Sequence, residues 1–189
     1  MKILYQGSPG AYSHLAAFEV YPDAEIIACK TFDECFYKAQ KDENLKIIIP
    51  ESNKTTGNIG IEYLIFKYRL NIYAEHFHKV EHNLLGLPGA KITDIKNVLS
   101  HAQGLSQCSN FIKKNNLIEN IRADTAGSAE LISKSKKISD AAIASKLSAK
   151  IYKLDIIESN IENEKGNTTR FLIMGKSILQ PELKKKKYI

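Results

Sequence analysis

Hydrophobic positions along this chain alternate between short aliphatic runs and longer stretches with helical spacing. Short runs rich in β-branched residues are typical of strands, whereas apolar positions three and four residues apart are typical of helices. The pattern predicts strands at residues 2–6, 25–29, 46–49, 97–100, 120–123, 141–144, 154–157 and 169–174, with extended chain over 70–87. It predicts helices at residues 12–21, 31–40, 59–68, 102–115, 126–134 and 146–152.

Strands that alternate with helices predict an α/β fold with mainly parallel sheets and helices on both faces. Pro50 is expected to end the third strand, and the capping-box spacing of Thr31 and Glu34 to open the second helix. The extended passage 73–87 and the loop 159–168 are the expected crossings between two lobes. The predicted boundaries are residues 1–75 plus 158–180 for lobe 1, 76–157 for lobe 2 and 181–189 for a lysine-rich tail.

Composition and charge exclude several function classes. The net charge is +6, but four positive charges belong to the terminal run 184–187, and the other lysines are spread among acids. A nucleic-acid interface needs a basic stripe on one face, so we expect no nucleic-acid partner. No apolar run approaches the ~20 residues that cross a bilayer, so we expect no membrane partner, and the N-terminus lacks a secretion-signal pattern. Three cysteines without metal-type spacing favour a cytoplasmic protein.

Three strand-to-helix junctions combine small residues with hydroxyl, amide or imidazole groups, at residues 6–13, 100–104 and 124–128. In open α/β sheets such junctions lie at the carboxyl ends of strands, where ligands bind. Free backbone N–H groups and the helix dipole favour an anion there, although a single junction of this kind is more often an ordinary helix cap. The glycine spacing fits neither a Walker A loop nor a dinucleotide fingerprint, so we expect no nucleotide.

A guanidinium stands near the C-terminus in the sequence Asn167-Thr168-Thr169-Arg170-Phe171, in a chain with three arginines and twenty-four lysines. Guanidinium binds a carboxylate through two parallel hydrogen bonds, whereas lysine offers a point charge. The alternative is a strand-end arginine in a surface ion pair. Together with the three junctions, Arg170 indicates a small anion with more than one carboxylate.

Several segments resemble, in order and spacing, the catalytic domain of prephenate dehydratases. The matching segments are 6–13 with Ala16-Ala17, His82-Asn83-Leu84-Leu85, 100–108, 124–129, 142–145 and Thr169-Arg170-Phe171. The resemblance covers residues 2–174 and implies two α/β lobes like those of type II periplasmic binding proteins, with the active site in the cleft between them. It also implies conversion of prephenate to phenylpyruvate in phenylalanine biosynthesis, without metal or organic cofactor, by a homodimer or larger assembly.

The resemblance also implies roles for single residues. Thr169 is expected to donate a hydrogen bond to the leaving hydroxyl, Arg170 to clamp the pyruvyl carboxylate and Phe171 to pack beneath the site. The expected substrate-binding residues are Ser8, Gly10, Tyr12, Ser13, Asn53, Lys54, His82, His101, Gln103, Thr125, Ala126, Asn167 and Thr168. A metal site on His76, His78 and His82 is not expected, because no carboxylate or cysteine completes a set of ligands in the sequence.

Departures from the family pattern leave alternatives open. Ser52 and Lys54 stand where the family has glutamate and serine, so a non-catalytic carboxylate-binding domain is one alternative. A second is a dehydratase acting on arogenate, which bears an amino group where prephenate has a keto oxygen, and an acidic side chain near Arg170 would favour it. Only about fifteen residues follow Met174, so we expect this chain to lack the phenylalanine-binding ACT domain of many family members.

Overall fold

The computed structural model describes residues 1–177, which form two α/β lobes, each built around one sheet. The sheet of lobe 1 contains β1 (Lys2–Gln6), β2 (Glu25–Cys29), β3 (Leu45–Asn53), β4 (Gly57–Asn58), β5 (Asn71–Lys79) and β11 (Thr168–Gly175). The sheet of lobe 2 contains β6 (Asn83–Gly86), β7 (Asn97–His101), β8 (Ile118–Arg122), β9 (Asp140–Ala144) and β10 (Asp155–Glu158). The strand orders are β2-β1-β3-β11-β5, with β4 on β3, and β10-β6-β9-β7-β8.

Helices connect most of the strands. They are α1 (Tyr12–Val20), α2 (Phe32–Lys41), α3 (Glu62–Tyr68), α4 (Ala102–Gln107), α5 (Ser109–Lys114), α6 (Thr125–Lys134) and α7 (Lys146–Tyr152). The predicted cap of α2 is present, because the Thr31 side chain accepts a 3.1 Å hydrogen bond from the Glu34 N–H. Within residues 1–177, no helix has the length and apolar character that a membrane span requires.

The predicted α/β class is confirmed, with one refinement to the sheets. Strands β1, β2, β3 and β5 point in one direction, but β11 runs antiparallel between β3 and β5. In lobe 2, β6 likewise runs antiparallel between β9 and β10. Both sheets are therefore mixed, because each contains one strand that enters from the opposite lobe in the reverse direction.

The chain crosses between the lobes at residues 80–82 and again at 159–167. Strand β5 pairs with β11 as far as Lys79 opposite Thr168, so residues 76–79 belong to lobe 1. The predicted boundary at 75/76 is therefore wrong, and residue 158 belongs to β10 of lobe 2. Residues 178–180 of the predicted lobe 1 and the predicted tail lie outside the described residues.

Alternation along the central strands supplies a core on each face of the lobe 1 sheet. Ile3 and Tyr5 of β1 pack with Phe171 and the α1 residues Ala16 and Ala17. On the other face, α2 and α3 pack against the sheet through an apolar layer. This layer consists of Leu4, Phe36, Ile47, Ile49, Leu64 and Leu172. Strands buried on both faces read as continuous aliphatic runs, which is why β1 and β3 are visible in the sequence.

The largest differences between the predicted and observed elements are at β3 and at the predicted helix 102–115. Strand β3 continues past Pro50 to Asn53, because the pairing of β3 with β11 shifts register beside Pro50 and no ladder hydrogen bond from its nitrogen is needed there. The predicted helix 102–115 is divided into α4 and α5 at Cys108, whose thiol is fully buried. Burial of that side chain in the lobe 2 core fixes the turn between the two short helices.

Candidate active site

A cavity of about 480 Å³ lies between the lobes, and we call it the cleft. Lobe 1 contributes the start of α1 and the adjoining ends of β3 and β11, and lobe 2 contributes the starts of α4 and α6. The apolar part of the lining consists of Phe32, Pro50, Ile59, Val80 and Phe171 among others. Nine of the sequence-predicted site residues line this cleft: Tyr12, Ser13, Asn53, His82, His101, Gln103, Thr125, Thr169 and Phe171.

Thr169 is held at the cleft by its neighbour across the strand pair. The side-chain amide Nδ2 of Asn53 donates a 2.8 Å hydrogen bond to Thr169 Oγ1. The amide is itself oriented, because Asn53 Oδ1 accepts hydrogen bonds from the Thr55 N–H at 3.0 Å and the Thr55 hydroxyl at 2.7 Å. Since Thr169 Oγ1 accepts from Asn53, its own hydrogen remains available to an acceptor in the cleft.

Arg170 lies on the opposite face of the sheet from Thr169 and Phe171. Its Nε donates a 2.7 Å hydrogen bond to Glu75 Oε2, and its Nη1 lies 3.5 Å from Glu51 Oε2. Successive strand residues point to opposite faces, so a residue between two cleft-facing positions points away from the cleft. Arg170 therefore occupies the surface ion pair that the sequence left as the alternative, and the predicted carboxylate clamp is corrected.

A hydrogen-bonded chain crosses from lobe 1 to lobe 2 at the edge of the cleft. Gln107 Nε2 donates to Thr55 Oγ1 at 2.6 Å, so Gln107 Oε1 is the acceptor at 2.8 Å from His82 Nε2. His82 Nδ1 is then the acceptor for the Tyr12 hydroxyl at 2.8 Å, while the Glu81 carbonyl oxygen lies 3.0 Å from the same hydroxyl. This network assigns the neutral His82 tautomer with its hydrogen on Nε2.

Burial reinforces that assignment. His82 is 2% exposed, and desolvation lowers its pKa from the ordinary 6.5, which favours the neutral ring at pH 7. Desolvation likewise raises the pKa of the Tyr12 hydroxyl well above its ordinary value, so it stays protonated. The pair therefore positions the start of α1 against lobe 2 without carrying charge.

The electrostatics of the cleft differ from the sequence expectation. Among residues 1–177, neither lysine nor arginine lines the cleft, and Asp124 is the one acidic residue that does. The Asp124 carboxylate caps α6 by accepting a 2.5 Å hydrogen bond from the Gly127 N–H. Helix α1 instead begins without a side-chain cap, which leaves its first backbone N–H groups without an acceptor in the described residues.

Seven predicted site residues lie outside the cleft lining. Gly10 is at the contact between the lobes, where its carbonyl accepts from Ser145 Oγ at 2.6 Å and Ser148 Oγ at 3.0 Å. Its φ of +94° is unfavourable for other residues, and an added Cβ would lie 2.5 Å from Ser148 Oγ. Gly10 is therefore required by the close approach of the two lobes.

Four more of the predicted site residues make contacts within the protein instead of lining the cleft: Ser8, Lys54, Ala126 and Thr168. Ser8 Oγ donates to Asp124 Oδ2 at 3.4 Å, and Ala126 is fully buried in the lobe 2 core. Lys54 is exposed, and its backbone N–H donates to the Thr168 carbonyl at 2.9 Å. Arg170 and these four residues therefore support the cleft from outside, and their predicted contact with substrate has no geometric support.

Asn167 lines a second cavity of about 400 Å³ that adjoins the cleft, because Gln103 and Gln107 line both. Its Oδ1 is buried and has no hydrogen-bond partner within residues 1–177. Glu162 lines the same cavity and accepts a 3.0 Å hydrogen bond from the His82 backbone N–H. Asn167 thus presents an acceptor next to the cleft and not in it.

Gln107 and Asp124 are polar residues of the cleft lining that are absent from the predicted site residues. Gln107 lies four residues after Gln103 on α4, so helical spacing would have put both amides on one face. Asp124 precedes Thr125 at the start of α6 and has the residue type of a helix cap. Asp124 lies in the predicted junction 124–128, and Gln107 lies in the segment 100–108 that resembles the family.

Residues 3–178 match the family model described as prephenate dehydratase. An Arabidopsis thaliana protein named arogenate dehydratase/prephenate dehydratase 1, chloroplastic, is 43% identical over 184 residues, covering 96% of this chain and 46% of that protein. The chain thus spans about half the length of the curated relatives that it matches.

Two solved structures have the same fold. One is described as prephenate dehydratase in complex with L-Phe, from Arthrobacter aurescens; it has a TM-score of 0.88 at 22% identity and covers 96% of this chain and 62% of that chain. The other is described as GqqA, a novel type of quorum quenching acylases, with a TM-score of 0.86 at 32% identity and coverage of 94% and 65%. From the family match and the plant relative, the chain belongs to the prephenate dehydratase family.

Proposed function

We propose that this chain converts prephenate to phenylpyruvate in phenylalanine biosynthesis. The ring carboxylate leaves as carbon dioxide, and its bonding electrons enter the ring. The hydroxyl across the ring accepts one proton, supplied by solvent, and leaves as water, so an aromatic ring remains. Because aromatisation provides the driving force, the protein needs to orient the substrate, assist the leaving hydroxyl and keep the ring carboxylate poorly solvated.

The hydroxyl of Thr169 is the observation that carries this proposal. Asn53 donates to Thr169 Oγ1 at 2.8 Å, and this leaves the Thr169 hydrogen to donate to the leaving hydroxyl. Threonine is a weak acid, so its contribution comes from fixed placement in a partly desolvated cleft. A single preorganised donor of this kind contributes about 100-fold to 1,000-fold in rate.

Backbone groups and the apolar wall complete the proposed substrate site. The uncapped start of α1 presents the N–H groups of Tyr12 and Ser13 to the pyruvyl carboxylate, in place of the arginine expected from the sequence. The ring lies against Phe171, Val80 and Pro50, where its carboxylate is poorly hydrated. A loosely held ring carboxylate favours the step in which it is lost.

The departures from the family pattern at Ser52 and Lys54 fall outside this site. Ser52 Oγ donates to Glu51 Oε2 at 2.6 Å, and Lys54 is exposed. Asn53, the position between them, faces the cleft and matches the family residue. This supports a catalytic protein over the non-catalytic binding domain.

Acylase chemistry, the activity for which one solved relative is named, has weaker support. Acyl transfer needs a hydroxyl or thiol activated by a base within hydrogen-bonding distance. In the described residues, Thr169 Oγ1 is bonded to an amide donor, and the three cysteines are buried. The geometry of Thr169 therefore favours a hydrogen-bond donor over a nucleophile.

Arogenate is the second candidate substrate, and Asp124 favours it. The ammonium of arogenate needs an anionic partner where prephenate has a neutral keto oxygen. Asp124 is the acidic residue of the cleft lining among residues 1–177. The plant relatives, whose names include arogenate dehydratase, agree with this candidate.

The decisive experiment incubates the purified protein separately with prephenate and with arogenate. Phenylpyruvate is followed by absorbance, and phenylalanine is quantified by chromatography. We expect product from prephenate, with turnover reduced at least about 100-fold in Thr169→Val and retained in the matched variant Thr168→Val. Absence of product from both substrates would overturn the proposal, and product from arogenate alone would establish the second candidate.

A further inference from the structure

Two histidines and a carboxylate meet on the α1 face of the lobe 1 sheet, outside the cleft. His76 and His78 lie two residues apart on β5, so their side chains share one face. Glu19, near the end of α1, reaches both rings: its Oε2 lies 2.8 Å from His76 Nε2 and 2.9 Å from His78 Nδ1. One ligand atom from each of the three residues lies within 4.8 Å of the other two. We call this group the Glu19 cluster.

The surroundings of the cluster are closed on one side and open on the other. The His78 side chain is 8% exposed, while those of His76 and Glu19 are 26% and 44% exposed. An ion therefore has a path from solvent, and the cluster has a firm base in the protein. Within residues 1–177, the second oxygen of the Glu19 carboxylate has no hydrogen-bond partner and is available as a further ligand atom.

We propose that Glu19, His76 and His78 bind Zn²⁺. Zinc in proteins is commonly held by imidazole nitrogens and carboxylate oxygens, and three protein ligands leave a fourth position for water. Bond lengths of about 2.0–2.2 Å require ligand atoms about 3.3 Å apart in a tetrahedron. The 2.8 Å and 2.9 Å separations in the cluster need to widen by only a few tenths of an ångström.

Carboxylate ionisation and imidazole tautomers are compatible with the ion. Partial burial opposes ionisation of Glu19, but the hydrogen bonds from His78 and His76 outweigh it and lower the Glu19 pKa below its ordinary 4.5. When the ion binds, the hydrogens on His76 Nε2 and His78 Nδ1 are displaced, and each ring carries its hydrogen on the other nitrogen. The sequence predicts no metal site because no carboxylate or cysteine completes a set of ligands with these histidines, whereas the fold brings the Glu19 carboxylate to them from α1.

The ion would be structural and would not touch the substrate. The His78 ring lies 6.0 Å from the Tyr12 ring and 6.5 Å from the Phe171 ring, and both of these line the cleft. Zinc would thus tie α1 to β5 directly behind the wall of the cleft. Because this role involves no bond to substrate, the zinc site can be tested independently of the dehydratase proposal.

The test uses the full chain after removal of metal with a chelator. Zn²⁺ is titrated against a chromophoric competitor, and Co²⁺ absorption reports the ligands. We expect one Zn²⁺ per chain in the wild type, with affinity reduced at least about tenfold in Glu19→Gln and in His76→Gln. His101→Gln, which removes a histidine elsewhere, is expected to bind as the wild type does.

A second measurement keeps the test decisive if a variant is unstable. Thermal unfolding with and without Zn²⁺ is expected to show a raised Tm for the wild type and for His101→Gln, and no change for folded Glu19→Gln or His76→Gln. Circular dichroism establishes that each variant is folded. No stoichiometric binding by the wild type, or undiminished binding by Glu19→Gln and His76→Gln, would overturn the site. Thiolate-to-cobalt absorption would assign the metal to cysteine and overturn it as well.

Discussion

Asn53 and Thr169 face each other across β3 and β11, and the Asn53 amide donates a 2.8 Å hydrogen bond to the Thr169 hydroxyl. Both residues are largely buried, at 6% and 7% exposed. Asparagine fixes the direction in which the threonine can donate, because its own amide occupies a lone pair of the Thr169 oxygen. The proposed chemistry depends on this direction more than on the acidity of threonine.

Replacing Thr169 tests the hydroxyl alone. Thr169→Ala is expected to lower kcat by about 100-fold to 1,000-fold, because a preorganised donor to the leaving oxygen is lost. Thr169→Ser keeps the hydroxyl and is expected to retain most of the activity. Steady-state kinetics with prephenate measure both variants. Equal turnover by Thr169→Ala and the wild type would remove the hydroxyl from the mechanism.

Replacing Asn53 tests the direction of the hydrogen bond. In Asn53→Asp the carboxylate accepts where the amide donated, so the Thr169 hydrogen turns toward residue 53 and away from substrate. We expect a kcat as low as that of Thr169→Ala, and a double variant no worse than either single variant. If the two losses multiplied, the residues would be acting independently, contrary to the proposal.

Arg170 is expected to contribute to stability and little to catalysis. Its guanidinium pairs with Glu75 on the face away from the cleft, and both side chains are roughly half exposed. Arg170→Gln is expected to lower the free energy of unfolding by about 1 kcal/mol or less, as for other exposed ion pairs, and to leave KM within about twofold. Urea denaturation and steady-state kinetics check the two expectations. A KM increase of tenfold or more would reinstate the carboxylate clamp.

Thr169 and Arg170 show which structural features can be predicted from the sequence: the face of the strand on which each side chain lies, but not its partner. A strand over 169–174 was predicted, and its alternation already implied that positions 169 and 171 share a face that 170 does not. The partner of Arg170 could not be predicted from the sequence. The register of β11 against β5 places Glu75 beside Arg170. Such pairing joins residues 95 positions apart and follows from the packed sheet.

The Glu19 cluster and the lobe boundary could not be predicted from the sequence either, because both depend on contacts between distant segments. The spacing of His76 and His78 was visible in the sequence, but the carboxylate comes from a helix that crosses the sheet face. Likewise β5 extends to Lys79 because β11 returns to pair with it. The helix-start segments could be predicted because helix caps and small residues act locally. The side chains that pack on a sheet face are instead determined by tertiary packing.

Burial of His82 predicts a dependence of stability on pH. Desolvation lowers its pKa from 6.5, so below 6.5 the unfolded chain binds this proton more readily than the folded chain. The free energy of unfolding is therefore expected to fall as the pH decreases through 6.5 and to be unaffected by this group well above it. His14, whose pKa burial also lowers, acts in the same direction.

Urea unfolding at about pH 7.5 and about pH 5.5 measures this change in the free energy of unfolding, and a smaller decrease between the two pH values is expected in His82→Gln. An equal decrease in wild type and His82→Gln would assign the dependence to other groups.

Asp124 tests the choice between the two candidate substrates. Asp124→Asn removes the negative charge but keeps an oxygen that caps α6, because asparagine is as effective a helix cap as aspartate. If the carboxylate contacts the ammonium of arogenate, the ratio of kcat/KM for arogenate to that for prephenate is expected to fall about tenfold, the difference between a charge-assisted and a neutral hydrogen bond. Asp23→Asn, which changes the same charge at an exposed position, controls for the net charge of the protein. An unchanged ratio in Asp124→Asn would place the ammonium elsewhere and leave Asp124 with a structural role at the start of α6.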